Sequence, residues 1–346
     1  MKQTQKDFPF LMACRKEPTR YTPVWLMRQA GRYQKEYRAL RKKYSFLEMC
    51  KTPELAAQVT LLPVEQLNVD AAIIFADILL PLEPMGIDFE FAKNEGPVFH
   101  QPIREMKQID ALRVIEPEGD MPFLMEAIRT VRRELEGKIP LIGFSGAPFT
   151  LASYVIEGGH SKNYILTKGM MYQNRPAWHG LMEKLADMLI RYLNSQIGAG
   201  AQAVQLFDSW VGCLSPQDYE EYVLPYSKKV IDGVDKRVPL IHFGTSSSTL
   251  LEGMKQAGGD VIGLDWREDL REAWNRIGHD VGVQGNLDPV ILFGPVDRIE
   301  KEVKRILERA EGRPGHIFNL GHGILPDTPV DNVVRLVDAV HEYSAR

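Results

Sequence analysis

The sequence predicts an α/β protein of the (β/α)8 TIM-type barrel class, a single domain over residues 1–346. Three observations predict it. Eight short apolar runs have the length and hydrophobicity of buried parallel strands. Helical patterns separate most of them, and that alternation implies a parallel sheet with right-handed crossovers. The residues just past the runs are nearly all polar or glycine: Arg28, Asp77, Ser145-Gly146, Asp208-Ser209, Gly244-Thr245, Asp265, Asn286 and Gly321-His322-Gly323. Barrel enzymes carry their chemistry at the C-terminal ends of their strands, so a closed ring explains this pattern and unrelated sheets do not.

In chain order the runs are "PVWLM" at 23–27, "AAIIFA" at 71–76, "PLIGFS" at 140–145 and "AVQLF" at 203–207. They continue with "PLIHF" at 239–243, "VIGLDW" at 261–266, "VGVQG" at 281–285 and "HIFNL" at 316–320. After the second run, "GIDFEF" and "GPVFHQ" flank "AKNE", which predicts a small hairpin inserted there. Thr52-Pro53 reads as an N-cap with proline at the first helical position. Leu181, Leu185, Met188, Leu189 and Tyr192 recur at helical spacing, and that helix is expected to stop at Gly198 and Gly200.

The chain has 346 residues, 44% of them hydrophobic, enough for one large core or two smaller ones. No composition shift marks a linker. The cysteines Cys14, Cys50 and Cys213 are too few and scattered for a disulfide framework and fit a reducing, cytoplasmic compartment. "FPFLMAC" is short and runs at once into Arg15 and Lys16, which reads against a signal peptide. The longest apolar region, Ala71 to Leu82, is broken by Asp77 and Pro81, so no segment is expected to span a membrane.

The local anomaly is basic. Arg28 to Lys43 holds seven basic residues (Arg28, Arg32, Lys35, Arg38, Arg41, Lys42, Lys43) against one acid, Glu36, in a chain of net charge −4. Overall acidity and a short patch argue against nucleic acid. For Lys35 to Lys43 the reading is a solvated helix face. Arg28 and Arg32, flanking Gly31 beside a strand end, read instead as a clamp for a carboxylate or phosphate, because the guanidinium fork donates two parallel hydrogen bonds.

Asp77 closes the most apolar run; a carboxylate there needs donors or an open site. Its alternative is a structural partner for an arginine. His322 lies between two glycines, in a phosphate cradle or a tight turn. Tyr154 has helical spacing with Leu151 and Val155, which also suits a core tyrosine, and Ser209 equally suits a helix cap. His316 and His322 have no partners at metal-ligand spacing, and C-x-x-C and H-E-x-x-H are absent, so no metal site is expected. Nucleophile-elbow, Walker and dinucleotide fingerprints are absent too.

The segments "RQAGRY", "FADILLPLEPMGIDFEF", "GFSGAPFTLASYVIEG", "QLFDSW" and "NLGHGILPDTPVDNV" resemble the signature segments of the uroporphyrinogen decarboxylase family. The resemblance runs from about Pro23 to near the C-terminus. It implies a barrel lyase of porphyrin and haem biosynthesis, a cytoplasmic homodimer that needs no cofactor. It implies decarboxylation of the four acetate side chains of uroporphyrinogen III to give coproporphyrinogen III. Carried over position by position, the family's arginine segment falls on Arg28, Gln29, Ala30, Gly31 and Arg32, and its aspartate on Asp77. The remaining substrate contacts fall on Tyr154, Ser209 and His322, with Phe46 a weaker correspondence. The resemblance implies catalytic roles for Asp77, Arg28 and Arg32.

Two rival functions are weighed against it. A zinc-dependent methyltransferase of the same superfamily calls for a His-x-Cys pair near the end of the fifth run, where this chain has His242, Phe243 and Gly244. A non-catalytic carrier of tetrapyrroles would keep the arginines without needing Asp77.

Overall fold

The computed structural model describes residues 8–92 and 96–346. The strands are β1 (Ala72–Ile73), β2 (Phe89–Ala92), β3 (Gly96–Phe99), β4 (Leu141–Gly146), β5 (Ala203–Asp208), β6 (Leu240–Gly244), β7 (Val261–Gly263), β8 (Gly282–Gln284) and β9 (His316–Ile317). Seven form one curled parallel sheet in the order β1-β4-β5-β6-β7-β8-β9, and helices join successive strands. Each is fed by a run predicted as a strand. The strands β2 and β3 pair antiparallel, Phe89 opposite Phe99 and Ala92 opposite Gly96, in a separate two-stranded sheet. Part of the expected turn between them, residues 93–95, lies outside the described residues.

The first apolar run departs from expectation. Residues 23–27 make a single parallel bridge, Val24 with Phe318, and no strand. Side chains take the N–H groups a ladder would use. Val24 N–H donates to Asp70 Oδ2 at 2.7 Å, Leu26 N–H to Gln29 Oε1 at 3.0 Å, and Met27 N–H to Asn319 Oδ1 at 3.0 Å. Backbone donors are obligatory customers, and buried acceptors this close satisfy them locally. The run still lies between both outer strands. Phe318 N–H donates to the Pro23 carbonyl, and Asp70 N–H to the Val24 carbonyl, each at 2.8 Å.

Alternation along the strands puts Ile142, Ala203, Ile241, Phe243, Val261 and Ile317 on the concave face, in one cluster with Trp25 and Met27. The short helix Pro9–Cys14 contributes Phe10 and Leu11 to the same cluster. A buried polar chain crosses this interior. Trp25 Nε1–H donates to Gln284 Oε1 at 2.8 Å, and the Gln284 amide donates to Gln205 Oε1 at 3.0 Å. Buried polar groups are tolerable when they satisfy one another in this way.

Two helix ends fall where the sequence expects them. Thr52 stands at the N-cap of the helix Pro53–Leu67, but its side chain makes no capping bond. The helix Arg175–Ala199 runs through Gly198 and ends at Gly200, whose φ of 125° no side-chain residue adopts easily. No helix among the described residues is long and apolar enough to cross a membrane.

Candidate active site

The strand-end residues divide into two sets. Asp208, Asp265 and Asn286 are buried and spent on loop architecture. Asp208 accepts from Thr150 Oγ1 at 3.0 Å, and the Asn286 amide donates to the carbonyls of Asp265 and Glu268. Arg28, Asp77, Ser209 and His322 all keep exposed surface.

The basic segment sorts itself in the same way. Arg38 donates to the carbonyls of Arg32 and Tyr33, and Arg41 to that of Tyr44. The guanidinium groups of Arg28 and Arg32 are exposed and make no hydrogen bond or ion pair among the described residues. Arg28 has φ of 61°, a left-handed backbone that costs a non-glycine residue about 1 kcal/mol. The glycine-rich segment ending at Gly323 receives the Arg28 side chain: a Cβ on Gly323 would lie 2.7 Å from Arg28 Cγ and 2.9 Å from its Nε.

Asp77 is half-buried as a residue, but protein atoms crowd its carboxylate. That crowding pushes its pKa up to about 6; the Leu79 N–H, 2.9 Å from Oδ1, and the Arg28 charge pull it back. Burial lowers the His322 pKa, and Arg28 adds to the shift. Burial raises the Tyr154 hydroxyl to about 12, with the Asp77 charge the second cause. Arg28, Asp77, Tyr154 and His322 therefore share one electrostatic neighbourhood, drawn from segments far apart in the chain.

Phe46 opens the helix Phe46–Lys51, held by a capping box between Ser45 and Glu48. Its ring meets Phe75 edge-on at 5.7 Å and Phe91 at 4.9 Å. The aromatic line continues from Phe91 through Phe89 and Phe99 to Tyr154 and Trp210, with centroids 5.4–6.4 Å apart. The pair β2/β3 thus links Phe46 to Tyr154. Ser209 does not cap the next turn, since Trp210 holds that position. The Gln29 side chain is held apart from the exposed arginines. It is fully buried, accepting from Leu26 N–H and donating to the Ala71 carbonyl, so its side chain braces the arginine segment from behind.

Sequence reading missed three phenylalanines. Phe144, Phe207 and Phe243 lie on the concave face near the ends of β4, β5 and β6, with centroids 5.6 and 6.0 Å apart. Their signal was the strand alternation: each points opposite to its polar neighbour, as Phe207 does to Asp208. Among the described residues no three His, Cys, Asp or Glu side chains are grouped to hold a metal ion. His242 is fully buried on the convex face, against the Leu251–Ala257 helix.

Residues 5–343 match the family described as uroporphyrinogen decarboxylase (URO-D). The chain belongs to the uroporphyrinogen decarboxylase family. A relative of that name from Carboxydothermus hydrogenoformans is 63% identical over 337 residues, covering 97% of this chain and 96% of that one. Another of that name, from Sorangium cellulosum, is 58% identical over 96% of this chain and 95% of the relative. In fold, the chain superimposes on a methyltransferase from Methanosarcina mazei with a TM-score of 0.82 over 97% of this chain and 98% of that one. At 22% identity that likeness speaks to the fold alone.

Proposed function

We propose that this chain decarboxylates the four acetate side chains of uroporphyrinogen III, giving coproporphyrinogen III and carbon dioxide in porphyrin and haem biosynthesis. The observation that carries the reading is that the crowded Asp77 carboxylate lies within the field of the unpaired Arg28 at the sheet's C-terminal edge. A carboxylate accepts hydrogen bonds at several lone pairs, so Asp77 suits the converging N–H groups of a puckered porphyrinogen. Arg28 and Arg32 suit its side-chain carboxylates.

The chemistry balances without a cofactor. A proton added to a pyrrole α-carbon makes a cationic ring. The acetate C–C bond then breaks, carbon dioxide leaves, and the bonding electrons enter that ring. The exocyclic carbon takes a proton to become methyl, and the ring carbon releases its own. One proton is consumed for each carboxylate lost, and no oxidant or reductant is needed. The substrate is the electron sink, the part a cofactor plays elsewhere. Ionised Asp77 stabilises the ring cation.

Asp77, Arg28 and Arg32 act on the reacting unit in this reading. Ala30, Gly31, Phe46, Tyr154, Ser209 and His322 line the substrate, and Gln29 contributes through the backbone it braces. We read the curled sheet, with residues 23–27 hydrogen-bonded at both edges, as a (β/α)8 barrel forming one domain, with β2 and β3 as a hairpin inserted after its second strand. We also infer a cytoplasmic homodimer, with neither nucleic acid nor membrane as partner; sedimentation at micromolar concentration tests the dimer, and cell fractionation the compartment.

The deciding experiment is anaerobic turnover of uroporphyrinogen III after dialysis against a chelator, with no cofactor added. Chromatography should resolve products of stepwise decarboxylation down to four carboxylates. No turnover sinks the proposal. Activity that vanishes on chelation and returns with zinc revives the methyltransferase-like alternative.

A further inference from the structure

Outside the expected site, the loop after β7 holds an arginine that the reading above does not use. Asp265 is fully buried and accepts four bonds: from the N–H groups of Ser246 (2.8 Å) and Arg267 (2.9 Å), and from Arg267 Nη1 at 3.0 and 2.9 Å to its two oxygens. The Arg267 guanidinium also lies 4.2 Å above the Trp266 ring. Trp266 packs its backbone against Gly321, where any Cβ would collide with it. Loops following β6, β7 and β9 therefore meet around this one side chain.

An ordinary structural ion pair would explain Nη1 alone. The Arg267 side chain is half exposed, and among the described residues its Nε and Nη2 donate to nothing. Those two groups form one edge of the guanidinium, the geometry that receives a carboxylate bidentately. Anchoring through Nη1 and stacking on Trp266 fix the rotamer beforehand, so little side-chain entropy remains to be lost on binding. Arg267 and Arg28 both depress the His322 pKa, whereas only Arg28 acts on Asp77. Through Trp266 against Gly321, Arg267 stands beside the segment that carries His322.

We propose that Arg267 is a third substrate-binding arginine, holding through its Nε–Nη2 edge a propionate carboxylate of the porphyrinogen, one that persists through every decarboxylation. This rests on the decarboxylase reading above. A substrate with eight carboxylates needs more cationic contacts than Arg28 and Arg32 supply, and an arginine that acts on His322 but not on Asp77 suits a carboxylate other than the reacting one.

The test compares wild type, Arg267→Gln and Arg267→Lys. Turnover of uroporphyrinogen III is measured at low and moderate salt, and equilibrium binding with coproporphyrinogen III, which keeps only the propionates. Arg267→Gln should raise KM and the coproporphyrinogen Kd about tenfold, as for one lost hydrogen bond to a charged group, with kcat within about twofold. Its kcat/KM should also depend less on salt. Arg267→Lys should fall between the two and keeps a charge beside Asp265 should the glutamine variant not fold. Unchanged KM and Kd in both variants would overturn the proposal, as would a raised KM with an unchanged coproporphyrinogen Kd, which would make the partner an acetate. Wild type that does not turn over uroporphyrinogen fails the decarboxylase reading itself and takes this proposal with it.

Discussion

The Arg28 side chain fills the space that a β-carbon on residue 323 would occupy. The two segments are also joined through the backbone, since Ile324 N–H donates to the Met27 carbonyl at 2.9 Å. Nearly 300 residues of chain separate them, yet they pack as one unit. Glycine at 323 is required here by close approach; its own φ is not in the left-handed region.

Gly323→Ala should therefore lower activity without unfolding the protein. The added methyl displaces the Arg28 guanidinium, while the backbone at 323 accepts alanine. We expect kcat/KM to fall tenfold or more, a loss of about 1.4 kcal/mol, with the melting temperature shifted by no more than about 4 °C. Kinetics and a thermal melt on the same preparation decide it; wild-type kinetics would show that Arg28 has room to move.

Asp77→Asn should nearly abolish turnover, by about a hundredfold or more, because the amide lacks the charge that meets the ring cation. The same variant should be the more stable protein at alkaline pH. Crowding raises the Asp77 pKa from 3.8 to about 6, so folding favours the protonated carboxyl. Stability from this group is complete below the unfolded value and is lost as pH rises through about 6. The asparagine variant should outmelt wild type at pH 8, on the order of 2 kcal/mol, and the gap should close near pH 4. A gap independent of pH would mean that the carboxyl is not perturbed.

Turnover in the wild type should fall as pH drops below about 6, since protonation removes the charge the mechanism uses. Asp208, raised to about 7 by burial, is the competing explanation. It lies on the convex side of β5 against Thr150, so Asp208→Asn should leave the acid limb of the kcat/KM profile in place. If the limb moves with Asp208→Asn, the titrating group is not Asp77.

Arg32→Lys tests the clamp. Lysine keeps the charge but loses the planar fork. We expect kcat/KM to drop about tenfold, a scale set by the loss of one bidentate contact. Unchanged kinetics at low salt would remove Arg32 from the site.

Much of the fold was legible because it is written in local periodicity. Seven of the eight apolar runs supply strands of one parallel sheet, and the spacing of Leu181 to Tyr192 marks the Arg175–Ala199 helix. The first run is the exception, because side chains took over its backbone donors. Residues 23–27 have strand composition, but Asp70, Gln29 and Asn319 take their N–H groups. Nor does the sequence show that the Gln29 side chain, inside the expected binding segment, is held in the core by hydrogen bonds to Leu26 and Ala71.

The sequence by itself determined the α/β class of the fold and the family, because apolar spacing and motif residues are properties of neighbours along the chain. Only the tertiary structure decided which charges are free to act. Arg38 and Arg41 look like Arg28 and Arg32 in the sequence, but backbone carbonyls engage the first pair and not the second. Asp77, Asp208 and Asp265 all belong to the ends of apolar runs, yet one keeps exposed surface and two are enclosed. The reason is physical: a charge's role depends on its desolvation and on the donors within about 3 Å, and long-range packing sets both.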